Sequence, residues 1–340
     1  MAGALERLIG QKGNRHTGKW VSVCILLLIF FMLIIQLPHI GGLTLQMRTY
    51  FEYGFLRRAL IGGCIVALCA ALLGVILVLK HYSMIGDGLS HVGFGALTIA
   101  VALGTVSIDS LPTLLPEGFR LAIVKVCESI SNAPIPFTMA LVVLCATVLL
   151  SGGRDRRAAG DASIALLSTG ALAVGVIVSS TVSGMNIDVT NYMFGSILAM
   201  GESDVWVSVV LSLIVLLAFF LFYPRIFAVT FDEAFAASTG VRIGRYNRMI
   251  AILTAITVVV GMRIMGTMLI SSLMILPALT SMHLFSRFRA VMICSAFISV
   301  LCFCAGLMLS CLYALPTGAG IVLVNLFAYL IFWCISNLRK

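Results

Sequence analysis

Ser83-Met84-Ile85-Gly86-Asp87-Gly88-Leu89-Ser90-His91-Val92-Gly93-Phe94-Gly95 interrupts a chain that is otherwise strongly apolar. If the stretch opens a helix, Asp87 and His91 lie four residues apart on one face, a single turn from each other. An acid and an imidazole turned toward a dry interior are costly unless something partners them or binds between them. Two readings follow from the residues alone. The pair contacts a divalent metal ion, or Asp87 caps the helix while Ser90 and His91 are hydrogen-bonded locally.

The sequence around this stretch says which interior is meant. Of 340 residues, 61% are hydrophobic and 10% charged, where a soluble domain carries about 25% charged residues. The chain is therefore expected to be an all-α, polytopic membrane protein. A spanning helix needs about 20 apolar residues, and the apolar runs give about ten spans: 20–38, 58–80, 87–105, 134–150, 160–181, 204–223, 247–265, 267–283, 290–312 and 317–336. Residues 1–19 are polar and basic and read as a cytoplasmic N-terminal segment. The apolar run that follows reads as a retained signal anchor, so residues 20–340 form the transmembrane domain.

The net charge of +9 does not point to nucleic acid. Arg154, Arg156, Arg157, Arg242, Arg245, Arg248, Arg287 and Arg289 fall in connections on one side, with both termini. That bias places both ends in the cytoplasm. Arg48, Arg57 and Arg58 fall on the other side, interleaved with Tyr50, Phe51, Tyr53 and Phe55. Residues 48–58 read as an amphipathic segment lying on the membrane surface. Residues 106–133, with Pro112 and Pro116, read as an outside loop holding one short helix.

Several features carry less than they suggest. The ten cysteines lie mostly in apolar runs without a Cys-x-x-Cys pair, and read as small packing residues. Gly13-Asn14-Arg15-His16-Thr17-Gly18-Lys19-Trp20 nearly spells a phosphate-binding loop, but Trp20 replaces the hydroxyl that would hold magnesium and no strand precedes it. Any ATP hydrolysis must come from another chain. His39, His81 and His283 flank spans and read as interfacial, as does Asp188 before Asn191-Tyr192-Met193-Phe194-Gly195-Ser196.

The largest cytoplasmic connection runs from Pro224 to Arg248. Within it, Asp232 and Glu233 open a short Ala-rich helix and Gly240 closes it, as dipole and C-cap preferences require. Such a helix is either a docking element for a partner's groove or a plain connector.

Five patterns taken in order make the chain resemble the permease subunits of bacterial ATP-binding-cassette importers for zinc, manganese and iron, of the type II plan. They are Lys80 with Gly86-Asp87-Gly88-Leu89-Ser90-His91; Tyr192-Met193-Phe194-Gly195-Ser196-Ile197-Leu198 followed by Asp204; Phe231, Asp232, Ala236 and Gly240; Gly266, Leu269, Leu273, Pro277 and Ala278; and Pro316-Thr317-Gly318. The resemblance covers about residues 58–336. It implies a non-enzymatic transport subunit in the bacterial cytoplasmic membrane, with no permanently bound cofactor and a divalent metal ion as cargo. It also implies cytoplasmic ATPase subunits, an extracytoplasmic metal-binding protein, and a second permease subunit giving a homo- or heterodimer. Asp87 and His91 match positions that contact metal. Phe231, Asp232, Glu233, Ala236 and Gly240, within a coupling segment of about 224–246, match the element that engages the ATPase.

The chain departs from the pattern in its extra N-terminal span, in Lys80-His81-Tyr82 where many members carry paired arginines, and in the longer 106–133 loop. The nearest rival is a permease for cobalamin, haem or siderophore chelates, which needs a wide cavity rather than a ligand pair. An intramembrane aspartyl protease is disfavoured because Met84 stands where its motif has glycine and no second Asp falls mid-span. The coupling-like loop speaks against a passive channel.

Overall fold

A computed structural model describes residues 54–105, 117–150, 160–181, 195, 201–313 and 315–338. The chain divides into two units, Met1–Thr49 and Tyr50–Lys340, and every described residue belongs to the second. The expected span 20–38, the near phosphate loop at 13–20, His39 and Asp188 lie outside the described residues.

The elements are helices: α1 (Gly54–Leu79), α2 (Ile85–Leu103), α3 (Glu117–Asn132), α4 (Pro134–Leu150), α5 (Gly160–Thr181), α6 (Glu202–Phe231), α7 (Glu233–Ser238), α8 (Ile243–Met265), α9 (Thr267–Leu284), α10 (Phe288–Tyr313) and α11 (Thr317–Leu338). Eight are long and apolar enough to cross a membrane. A ninth candidate is the pair α3 and α4, bent by 91° at Ala133. Each of the nine expected spans among the described residues is therefore helical, and the short helix expected within 106–133 is α3.

Two boundaries differ from expectation for identifiable reasons. Of the expected surface segment 48–58, residues 54–58 open α1 and 48–53 lie outside the described residues; Arg58 donates to Glu202 at the start of α6 at 2.9 Å. The expected stop at Pro224 does not occur, and α6 runs on to Phe231. A helical proline removes one backbone donor, but the turns beyond it are held from outside. Phe227 and Phe231 pack on Phe288 with ring centroids 5.0 and 5.4 Å away, and Arg225 donates to the Tyr246 hydroxyl at 2.9 Å.

α1 and α8 are the most enclosed spans and α5 the least. α1 lies against α6, α8, α9 and α10, while α2 lies against α4, α5, α8 and α9. Lipid offers no hydrophobic drive between helices, so close packing and polar contacts hold them together. Ser295 and Ser299, one turn apart on α10, donate to the carbonyls of Ala71 and Ala67, one turn apart on α1, at 3.4 and 3.0 Å. The reversed order of the partners makes the two helices antiparallel. Leu269, Leu273, Pro277 and Ala278 are buried along α9, so that sequence pattern is a packing stripe. α11 starts at Thr317, directly after Pro316. Every described cysteine is a free thiol.

Candidate metal-ion site and loop helix

α2 begins at Ile85 with Met84 as N-cap, and Met84 supplies no side-chain cap bond. Asp87 is therefore the third helical residue, not the cap. Its carboxylate lies in the first turn, where the positive end of the helix dipole favours negative charge. The Ser90 hydroxyl donates back to the Asp87 carbonyl at 2.8 Å. His91 Nε2 lies 3.6 Å from Asp87 Oδ2, with the His91 side chain 13% exposed and the Asp87 side chain 39% exposed.

The face carrying the pair is set by the helix period. Ile85, Leu89, Val92 and Ala96 form the buried stripe of α2. At 3.6 residues per turn, Asp87 and His91 lie about 150° round from it. The next positions on their face, Phe94 and Thr98, are buried. There the α2 and α5 backbones run so close that a β-carbon on Gly95 would sit 2.7 Å from the Ala171 carbonyl oxygen, and one on Gly175 would strike the Phe94 ring. On the turn of the pair itself, a β-carbon on Gly88 would sit 2.6 Å from the Ile164 side chain of α5, so Asp87 and His91 lie beside the first contact of the α2–α5 seam. Gly86, just before the pair, faces Met274 and Ser271 of α9. Among the described residues no third His, Cys, Asp or Glu joins these two as a metal cluster.

The loop helix α7 has the ends expected from sequence. Asp232 caps it, accepting from the Ala234 and Phe235 amides at 2.9 and 3.1 Å. Gly240 follows its last turn at φ +81, with Gly240 N bonded to Ala237 O and Val241 N to Ala236 O. That is a Schellman motif, whose left-handed position suits glycine. Ala236 is buried against Val229 and Tyr246, so α7 rests on α6 and α8. Phe235 points outward, 63% exposed. The sequence reading passed over Phe235 because one aromatic among alanines carries no periodic signal.

Sequence reading also missed the partner of Lys80. Its ammonium is buried and lies 3.2 Å from Glu233 Oε1 of α7 and 2.6 Å from Asn247 Oδ1 of α8. Nothing local foretells a pair 153 residues apart. His283, in the last turn of α9, lies against the Tyr329 ring at 5.7 Å.

The described residues thus form a bundle of long apolar helices with a short capped helix set on one of its loops. The same fold occurs in a solved structure, PsaBC from Streptococcus pneumoniae in complex with Fab, with 22% identity, a TM-score of 0.64, and coverage of 86% of this chain and 94% of that one. Residues 52–336 match the ABC 3 transport family, and the chain belongs to it. It is 26% identical to the manganese transport system membrane protein MntC of Halalkalibacterium halodurans, over 86% of this chain and 92% of that protein. It is 27% identical to the high-affinity zinc uptake system membrane protein ZnuB of Haemophilus influenzae, over 80% of this chain and 94% of that protein.

Proposed function

We propose that this chain is the membrane permease of an ATP-driven importer of divalent metal ions, in the manganese–zinc range of its relatives, and that Asp87 and His91 contact the ion in transit. The supporting observation is the 3.6 Å between Oδ2 and Nε2. A good hydrogen bond would bring them to about 2.7–3.2 Å. Two ligands each about 2.1 Å from one tetrahedral ion stand about 3.4 Å apart. The pair is therefore spaced to share a cation with little side-chain movement. Carboxylate plus imidazole suits zinc, manganese and ferrous iron. Two protein ligands hold an ion loosely, which suits cargo that must leave again.

The Asp87 side chain is 39% exposed, and a second permease subunit, identical or not, would close the pathway over it and add ligands. An extracytoplasmic binding protein delivers the ion to the outer mouth of the pathway. Separate cytoplasmic ATPase subunits dock on α7 and the flanking ends of α6 and α8, with Phe231, Asp232, Glu233, Ala236 and Gly240 shaping the contact. ATP binding there rearranges the helices and moves the opening from outside to inside. In this arrangement residues 1–19 and the C-terminus are cytoplasmic, residues 20–340 lie in the bacterial cytoplasmic membrane, and the chain holds no permanent cofactor.

Metal uptake by cells carrying Asp87→Ala or His91→Ala tests the assignment. Uptake at limiting metal is expected to fall by no less than the roughly 10- to 100-fold that losing even an outer-shell partner costs a metal site. Normal uptake with both residues replaced would refute the ion contact.

A further inference from the structure

We propose that Lys80 is the positioning residue that ties the loop helix α7 to the metal-contacting turn of α2, so that movement of α7 reaches Asp87 through it. The inference rests on the transport reading above and names how its two sites communicate.

The tie has three parts, each held by named contacts. At one end the buried Lys80 ammonium binds Glu233, the first residue of α7, and Asn247 in the first turns of α8. The Lys80 side chain is 4% exposed and that of Glu233 20%, so water screens the pair far less than a surface ion pair. Breaking a buried pair by removing one partner leaves an uncompensated charge and is strongly unfavourable. The contact therefore holds α7 and Lys80 together when either is displaced.

In the middle, α1 ends at Lys80 in a Schellman motif. Tyr82 N donates to Leu77 O at 2.9 Å and His81 N to Val78 O at 3.1 Å, with His81 in the left-handed region at φ +62. Tyr82 and Leu77 are both buried, which adds the hydrophobic contact that accompanies the motif. At the far end the turn leads straight into α2, because Ile85 N donates to Tyr82 O at 3.2 Å and Gly88 N to Met84 O at 3.0 Å. Asp87 follows in the first turn of α2. Seven residues after Lys80, the carboxylate is reached with no slack loop between.

Force applied to α7 thus has a short path to the ion contact. It passes through one part-buried ion pair and one hydrogen-bonded turn. Lys80 acts through Asp87 and does not itself touch the ion.

The test uses the complete transporter, permease with its ATPase, reconstituted in vesicles. Ions moved and ATP hydrolysed are measured together with manganese or zinc as probe. The double variant K80M/E233Q removes both charges and leaves no buried ion unpaired. Ions moved per ATP hydrolysed are expected to fall about tenfold in it, a usual size for coupling between sites. N247A keeps the ion pair and loses one of its supports, and is expected to give a smaller fall in the same ratio. The charge exchange K80E/E233K is expected to recover part of it. A wild-type ratio in both K80M/E233Q and N247A overturns the proposal, whatever their thermal stability. If the double variant does not assemble, the N247A ratio decides alone. Failure of the transport reading itself shows elsewhere, as unchanged uptake when Asp87 and His91 are replaced.

Discussion

Gly195 lies against the backbone of Gly266, so close that a β-carbon on Gly195 would sit 2.5 Å from the Gly266 amide nitrogen. Both have positive φ, +68 and +86. Gly266 is the break between α8 and α9, so Gly195 meets the bundle at that junction.

Gly195→Ala would force a side chain into a left-handed position with backbone already in the way. Overpacking of this kind costs about 1–3 kcal/mol. Thermal unfolding of the purified permease in detergent is expected to shift downward accordingly. An unchanged transition would show that the junction can open without penalty.

His81→Gly has the opposite sign. The left-handed region costs an L-residue roughly 1–2 kcal/mol, while glycine gives back about 0.5–1 kcal/mol through chain entropy. The variant should be as stable as wild type or up to about 1 kcal/mol more stable. His81→Val should be clearly less stable, because a β-branched residue fits that conformation worst. The same unfolding measurement ranks all three.

Asp232→Ala removes the α7 cap and is expected to cost about 1 kcal/mol of local stability. Asp232→Asn keeps an oxygen able to accept from the Ala234 and Phe235 amides and should restore most of it. Backbone hydrogen exchange over residues 233–241 reads the difference: protection should drop in the alanine variant and persist in the asparagine one.

Phe235→Ser should leave the permease fold intact, since the ring packs on little of the subunit. Buried aromatic anchors at interfaces are worth about 2 kcal/mol or more. Recovery of the ATPase with the tagged permease should therefore fall by more than about tenfold. Undiminished recovery would place the docking surface away from α7.

What the sequence reveals and what it hides follow from range. The ends of α7 are legible because a cap and a left-handed glycine are decided within a few residues, and the membrane helices because burial in lipid demands long apolar runs. Pro224 misleads because its missing donor is a local loss, outweighed by Phe288 and Tyr246 packing from distant helices. Asp87 resembles a cap because capping residues and first-turn acids share one chemistry; only the start of α2 at Ile85 separates them. The Lys80–Glu233 pair and the Gly195–Gly266 contact join segments far apart in the chain. No periodicity announces them.

The two serine bonds between α10 and α1 bear on how this bundle can rearrange. Donors spaced by one helical turn face acceptors with the same spacing, so a small slide breaks both at once. A full turn, about 5.4 Å, brings a serine back opposite a carbonyl. Between those positions the pair of helices has no comfortable resting place. It travels as one rod, or it clicks from notch to notch.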